Sequence, residues 1–310
     1  MADKTGIEWA DATWNVIYGC TRVSPGCQNC YAESFTHRFS GQKGHRMEGL
    51  TVLKKTGPSW TGKITTAPDR LAQPLLWQRP RMIFVNSLSD VFHMSVPFPY
   101  IAAIFGVMGL AHNHTFQILT KRHERMEEFY EWLQFESRKA GRSLFQTCAV
   151  WLNEYKNSEY MRRHHNPEQI EIPAEILSGE VALNWPLNNV WMGVSVEDQQ
   201  RADERIPYLQ RIPAAVRFLS MEPLLGPVDR LDLDGIHWAI IGGESGHGSR
   251  PMDADWVRSL RDQCNEAGVP FFLKQWGQHD ADGILNKSKK ANGCTLDGVD
   301  HKEWPVAVSP

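Results

Sequence analysis

Apolar and polar positions along this chain come in blocks rather than in strict alternation. From residue 81 onward, short apolar runs stop abruptly at polar, charged or glycine residues. Met82-Ile-Phe-Val ends in Asn86-Ser-Leu-Ser-Asp90, Phe116-Gln-Ile-Leu in Thr120-Lys-Arg122, and Val190-Trp-Met-Gly-Val in Ser195-Val-Glu197. Arg217-Phe-Leu then ends in Ser220-Met-Glu222, Trp238-Ala-Ile-Ile in Gly242-Gly-Glu-Ser-Gly246, and Phe271-Phe-Leu in Lys274-Gln-Trp-Gly277. Runs that are apolar on both faces predict parallel strands covered on both sides. An earlier run, residues 14 to 19, predicts the first strand, with residues 1 to 13 as a lead-in.

Helical spacing fills the gaps. Met126, Phe129, Tyr130 and Leu133 recur at three and four, as do Ala202, Ile206 and Leu209, and again Trp256, Leu260, Cys264 and Ala267. Pro97 to Leu110 is apolar nearly all round and predicts a buried helix. Tyr31 to Phe39 predicts a short helix with Ala32, Phe35 and Phe39 on one face. Strand, polar tip and helix, repeated about seven times, predict an α/β fold: a (β/α) barrel or partial barrel of parallel strands. A doubly wound open sheet is the second choice. Both architectures put working residues at the carboxyl ends of the strands, where the polar tips lie.

Residues 1 to 310 are expected to form one such domain. Residues 134 to 187, with Arg162-Arg163-His164-His165, break the rhythm and predict an insertion between the third and fourth predicted strands, counting residues 14 to 19 as the first. Residues 40 to 62 predict an irregular basic excursion, and residues 278 to 310 a C-terminal extension.

Composition narrows the class. Hydrophobic residues at 42% and charged ones at 22% suit a globular chain with a sizeable core. A net charge of −3 supplies no global attraction to nucleic acid, so such a contact would need a local basic patch. With no long apolar run and no signal-peptide pattern, the expected location is the cytoplasm, with no membrane partner.

The candidate chemistry lies earlier. Cys20, Cys27 and Cys30 fall within eleven residues, and Pro25-Gly26 supplies a turn between them. Three thiols so close predict a metal centre better than a disulfide framework, the other three cysteines being scattered. Zinc in a closed site needs a fourth ligand, and only Asp11, Glu33 or His37 is near in sequence. A cubane iron–sulfur cluster held by three cysteines leaves one iron open for chemistry.

This cysteine loop resembles that of radical S-adenosylmethionine enzymes, although its first gap is six residues where three is commonest, and Asn29 rather than an aromatic precedes Cys30. The whole chain is similar to a phage and bacterial family of three-cysteine proteins of unknown function. That likeness rests on Trp14-Asn-Val-Ile-Tyr-Gly-Cys, Cys27-Gln-Asn-Cys-Tyr-Ala-Glu, Asn86-Ser-Leu-Ser-Asp, Leu119-Thr-Lys-Arg, Trp191-Met-Gly-Val-Ser-Val-Glu, Phe218-Leu-Ser-Met-Glu-Pro-Leu-Leu, Ile241-Gly-Gly-Glu-Ser-Gly and Lys274-Gln-Trp-Gly.

The resemblance implies a [4Fe–4S] cluster on Cys20, Cys27 and Cys30, S-adenosyl-L-methionine on its open iron, and reductive cleavage that starts hydrogen abstraction. It also implies an electron donor such as a flavodoxin or ferredoxin, and a small-molecule or nucleic-acid substrate: a nucleobase, nucleotide or DNA. Expected cofactor contacts are Asn86, Ser87 and Asp90 for the amino group, and Ser195 and Glu197 for the ribose hydroxyls. Glu222, Gly242, Gly243 and Glu244 complete the expected cofactor set. Converging carboxylates repel, so Lys121, Arg122 or Lys274 must neutralise them or hold an anionic substrate. Two rival readings are a zinc-stabilised barrel that binds nucleic acid or protein without catalysis, and an iron–sulfur lyase that repairs damaged DNA.

Overall fold

The computed structural model of the chain describes residues 5–159, 161, 167–286 and 289–306. Arg162, Arg163, His164 and His165 lie outside the described residues. The chain divides into two compact units, Met1–Thr21 with Ala32–Trp191 and Pro213–Ala215, and Arg22–Tyr31 with Met192–Ile212 and Val216–Pro310.

In the first unit, strands β1 (Ala12–Trp14), β6 (Met82–Val85) and β7 (Thr115–Thr120) pair in parallel, with Thr13 opposite Phe84 and Phe84 opposite Gln117. Two antiparallel pairs lie between β1 and β6 in sequence: β2 (Ile17–Tyr18) with β5 (Thr65–Thr66), and β3 (Thr51–Lys54) with β4 (Gly57–Trp60). The first strand therefore ends at Trp14 rather than Gly19. The cause is Asn86, whose side-chain Oδ1 accepts from Val16 N at 2.9 Å and Ile17 N at 3.1 Å and so takes those donors out of the sheet ladder. The excursion of residues 40 to 62 contains the β3–β4 hairpin. Helix α1 (Tyr31–His37) buries Ala32, Glu33 and Thr36, while Phe35 is exposed, so its inward side is more polar than expected.

Helix α2 (Phe98–Leu110) is buried along ten consecutive residues, Tyr100 to Gly109, as its all-round apolar sequence requires. It packs on α4 (Leu144–Lys156), and the approach is close enough that a Cβ on Gly106 would sit 2.8 Å from the Cys148 carbonyl oxygen. Helix α3 (His123–Ala140) buries Met126, Phe129, Tyr130 and Leu133 and stops at Gly141 in the left-handed region, φ 63°. The interruption of the rhythm thus holds α3's last turns, α4 and a short helix, Ala174–Ser178.

In the second unit, β9 (Val216–Met221), β10 (Trp238–Gly242) and β11 (Phe271–Gln275) pair in parallel. Strand β8 (Val190–Ser195) precedes them, and the division between the units falls after its Trp191. Helix Gln199–Arg211 starts at the Asp198 cap and buries Ala202, Arg205, Ile206 and Leu209. Helix Ala254–Ala267 starts at the Asp253 cap and buries Val257, Leu260 and Cys264. The extension adds a small hairpin, β12 (Thr295–Leu296) with β13 (Val299–Asp300), and stacks Trp304 on Trp238 with ring centroids 4.9 Å apart.

The long strands follow the order β1-β6-β7-β8-β9-β10-β11 in one all-parallel sheet, an α/β fold of the partial (β/α) barrel class expected from the repeat. Among the described residues no helix is long and apolar enough to cross a membrane.

Gly106→Val should lower stability by about 1–3 kcal/mol, the usual cost of forcing extra methyl groups into a packed contact. Urea unfolding measures it, and an unchanged midpoint would show that α2 and α4 are not in close contact.

Candidate functional site

In the first unit the strand tips fold onto Asp90. Its Oδ1 accepts from the Thr120 hydroxyl at 2.8 Å and Phe92 N at 2.9 Å; its Oδ2 accepts from Arg122 Nη1 at 2.9 Å and Lys121 N at 3.2 Å. Four donors saturate most of a carboxylate's acceptor capacity. Arg122 Nη2 donates to Thr21 O at 3.0 Å, Thr21 Oγ1 at 2.8 Å and Cys20 Sγ at 3.5 Å. Burial acts to lower the pKa of Arg122, but Asp90 and Cys20 outweigh it and the net shift is upward, so the guanidinium stays charged.

His93 is lowered to about 4, by burial first and then by Arg122, so its ring is neutral at physiological pH. Its Nδ1 accepts from Ser95 N, which assigns the proton to Nε2 and makes that atom the donor to Thr21 Oγ1 at 3.1 Å. Asn86, with φ 58°, spends its carbonyl oxygen on the turn after β1, and Ser87 Oγ pairs with the Asn15 amide.

In the second unit every strand-tip carboxylate has a basic partner. Glu197, wholly buried, accepts from Arg205 Nη1 at 2.8 Å and from Ser24 Oγ at 2.5 Å, and Arg205 also donates to the Ser195 carbonyl. Glu244 accepts from Arg250 Nε at 2.9 Å, Arg250 Nη2 at 2.5 Å and Asn29 Nδ2 at 2.9 Å. Arg250 Nη2 also reaches the Pro25 carbonyl at 3.1 Å. Glu222 accepts from Lys274 Nζ at 2.7 and 2.8 Å and from Gln275 Nε2 at 3.0 Å.

Glu197 and Glu244 thereby grip the cysteine-bearing segment at Ser24 and at Asn29, on either side of Cys27. Gly26 lies so near the Glu197 carboxylate that a Cβ would overlap it. Gly242 O accepts from Leu224 N and Gly243 N donates to Gln275 O, and a Cβ on Gly243 would strike the Trp276 carbonyl. Both glycines serve close backbone packing. Of the expected countercharges, Lys274 neutralises Glu222 and Arg122 neutralises Asp90. Arg205 and Arg250, with Ser24 and Asn29, were not singled out from sequence. Arg205 carried a usable signal, an arginine on the inward face of a helix beside Ala202, Ile206 and Leu209.

Cys20, Cys27 and Cys30 are half-buried and none of them forms a disulfide. Cys20 belongs to the first unit and the other two to the second. Among the described residues no three His, Cys, Asp or Glu side chains are gathered as a metal-holding group. The sequence neighbours that might complete a four-ligand zinc site are engaged: Glu33 with Trp60 N at 3.1 Å, His37 with Thr51 Oγ1 at 3.1 Å, Asp11 with Met82 N at 2.8 Å. By donor chemistry, thiols outside any disulfide are soft ligands of the kind that bind zinc or iron. The remaining thiols are of another kind: burial pushes Cys264 up to about 12 and raises Cys148 further, and it also raises Cys294.

The parallel, partial-barrel α/β architecture is consistent with barrel enzymes as a class. The chain belongs to the family described as "Protein of unknown function (DUF5131)", whose model matches residues 4–305. No curated protein and no solved structure matches the chain.

Two outcomes follow from the grip on the loop. Burial acts to raise the pKa of Glu244, but hydrogen bonds from Arg250 and Asn29 outweigh it and hold the carboxyl below its ordinary value of 4.5. A depressed acid contributes stability above its unfolded pKa and loses it as pH falls through the folded one. The stability difference between wild type and Glu244→Gln should be constant at neutral pH and shrink below about pH 4.5. A pH-independent difference in urea unfolding would refute the linkage. Gly26→Ala should displace the Ser24–Glu197 contact and speed trypsin cleavage at Arg22 several-fold, with the thermal midpoint little changed; wild-type cleavage kinetics would argue against the grip.

Proposed function

We propose that this chain is a radical S-adenosylmethionine-type iron–sulfur enzyme. The observation that carries the reading is the state of the cysteine segment: its backbone and polar side chains are tied down at Ser24, Pro25 and Asn29, and its three cysteines, eleven residues from first to last, form no disulfide. A loop held in place by its neighbours around three thiols outside any disulfide suits sulfurs that serve a common metal centre. The engaged state of Asp11, Glu33 and His37 favours three protein ligands over four.

In this reading Cys20, Cys27 and Cys30 hold a [4Fe–4S] cluster whose fourth iron takes S-adenosyl-L-methionine. When bound, the pair would supply one-electron cleavage of the cofactor and a hydrogen-abstracting radical. The chain's own residues do the positioning. Glu197 and Glu244 fix the loop, and Asp90 fixes Arg122. Ser87 on the first unit, and Glu222 with Lys274 on the second, keep part of their surface open and are the proposed ligand contacts. Lys274 with Glu222 presents a donor and an acceptor together, a pairing suited to a nucleobase edge.

Anaerobic reconstitution of the full chain with iron and sulfide tests the reading. The expected result is about four irons and four sulfides per chain, a charge-transfer absorption band, and methionine release from S-adenosylmethionine after dithionite reduction. Cys27→Ala should abolish all three while leaving the unfolding transition intact. One equivalent of zinc with no labile sulfide would replace this reading with that of a zinc-stabilised binding module.

A further inference from the structure

The guanidinium of Arg122 and the carboxylate of Asp90 are each only 8% exposed. A charge so far from water requires partners, and Arg122 divides its donors among three residues. Nη1 goes to Asp90, while Nη2 goes to Thr21 and to the sulfur of Cys20. The brace is itself braced, because Thr120 Oγ1, Lys121 N and Phe92 N all converge on Asp90. Thr21, the residue that follows Cys20, is held from the other side by neutral His93. These contacts fix the direction from which the guanidinium meets one particular thiol.

We propose that Arg122, oriented by Asp90, is a positioning residue for Cys20 that aims its sulfur and raises the reduction potential of the iron–sulfur centre. The inference rests on the cluster reading above. Hydrogen bonds to a cysteine ligand and nearby charge are two of the levers that set a cluster's potential, and both act here through one side chain. Reduction adds one negative charge to the centre. A buried cation donating to its sulfur stabilises that charge, and low exposure limits screening by salt.

The test is an anaerobic redox titration of the reconstituted full chain, followed by electron paramagnetic resonance, for wild type, Arg122→Gln, Arg122→Lys and Thr120→Val. Arg122→Gln should retain wild-type iron and sulfide. Its reduced-to-oxidised ratio at a fixed potential should fall about tenfold, equivalent to about 59 mV for a one-electron couple. Arg122→Lys, which keeps the charge, should recover most of the loss, and Thr120→Val, which removes one support of Asp90 without changing any charge, should fall between.

An unchanged potential in Arg122→Gln overturns the role of Arg122 and leaves the cluster reading standing. Wild-type protein that takes up no iron overturns both. Should Arg122→Gln lose its cooperative thermal transition, Thr120→Val decides, and a wild-type potential there refutes the inference.

Discussion

A carboxylate cut off from water must be answered by a cation and by hydrogen bonds, or it neutralises. Glu197 is such a group, with none of its side chain exposed. Its charge is answered from one direction by Arg205, itself buried on helix Gln199–Arg211, and from another by the hydroxyl of Ser24. Removing either member of a buried pair of this kind costs about 3–5 kcal/mol, because the survivor is left desolvated and alone. The pair also does more than neutralise: Ser24 can satisfy Glu197 only if the segment that follows it lies flat, which is why residue 26 has no side chain.

The same device recurs at other strand ends. Glu244 with Arg250, Glu222 with Lys274 and Asp90 with Arg122 each convert an acidic tip into an organised ion pair, and three of the four pairs also touch the segment from Cys20 to Asn29. Acidic tips that resemble ligand-binding groups in sequence therefore act largely as internal supports. Glu222, 19% exposed, is the most open of the four acids, which is why it carries the ligand contact with its partner Lys274 in the proposed function.

The parallel repeat was legible in sequence because each buried strand is apolar on both faces and changes character within one residue at its tip. All six strands expected from Met82 onward form within two residues of their expected bounds. The first strand was not legible, since its end is decided by the side chain of Asn86, about seventy residues away. Nor was the β3–β4 hairpin, where Gly57-Pro58 obscures the alternation. At the site, residue types could be read but allegiances could not: Glu197 finds its cation eight positions on and Glu244 six positions on, separations that no local periodicity encodes. Arg205 could have been recognised by asking why an arginine occupies an apolar helix face.

The burial of Cys148 and Cys264 has a bearing on how the protein would age. A thiol must ionise before electrophiles or oxidants attack it readily, and enclosure suppresses that at both positions. Chemical damage to sulfur in this chain is thereby channelled away from the two helices whose packing depends on those side chains. Oxidation would reach the half-buried thiols of Cys20, Cys27, Cys30 and Cys294 first and leave the packing of those two helices intact.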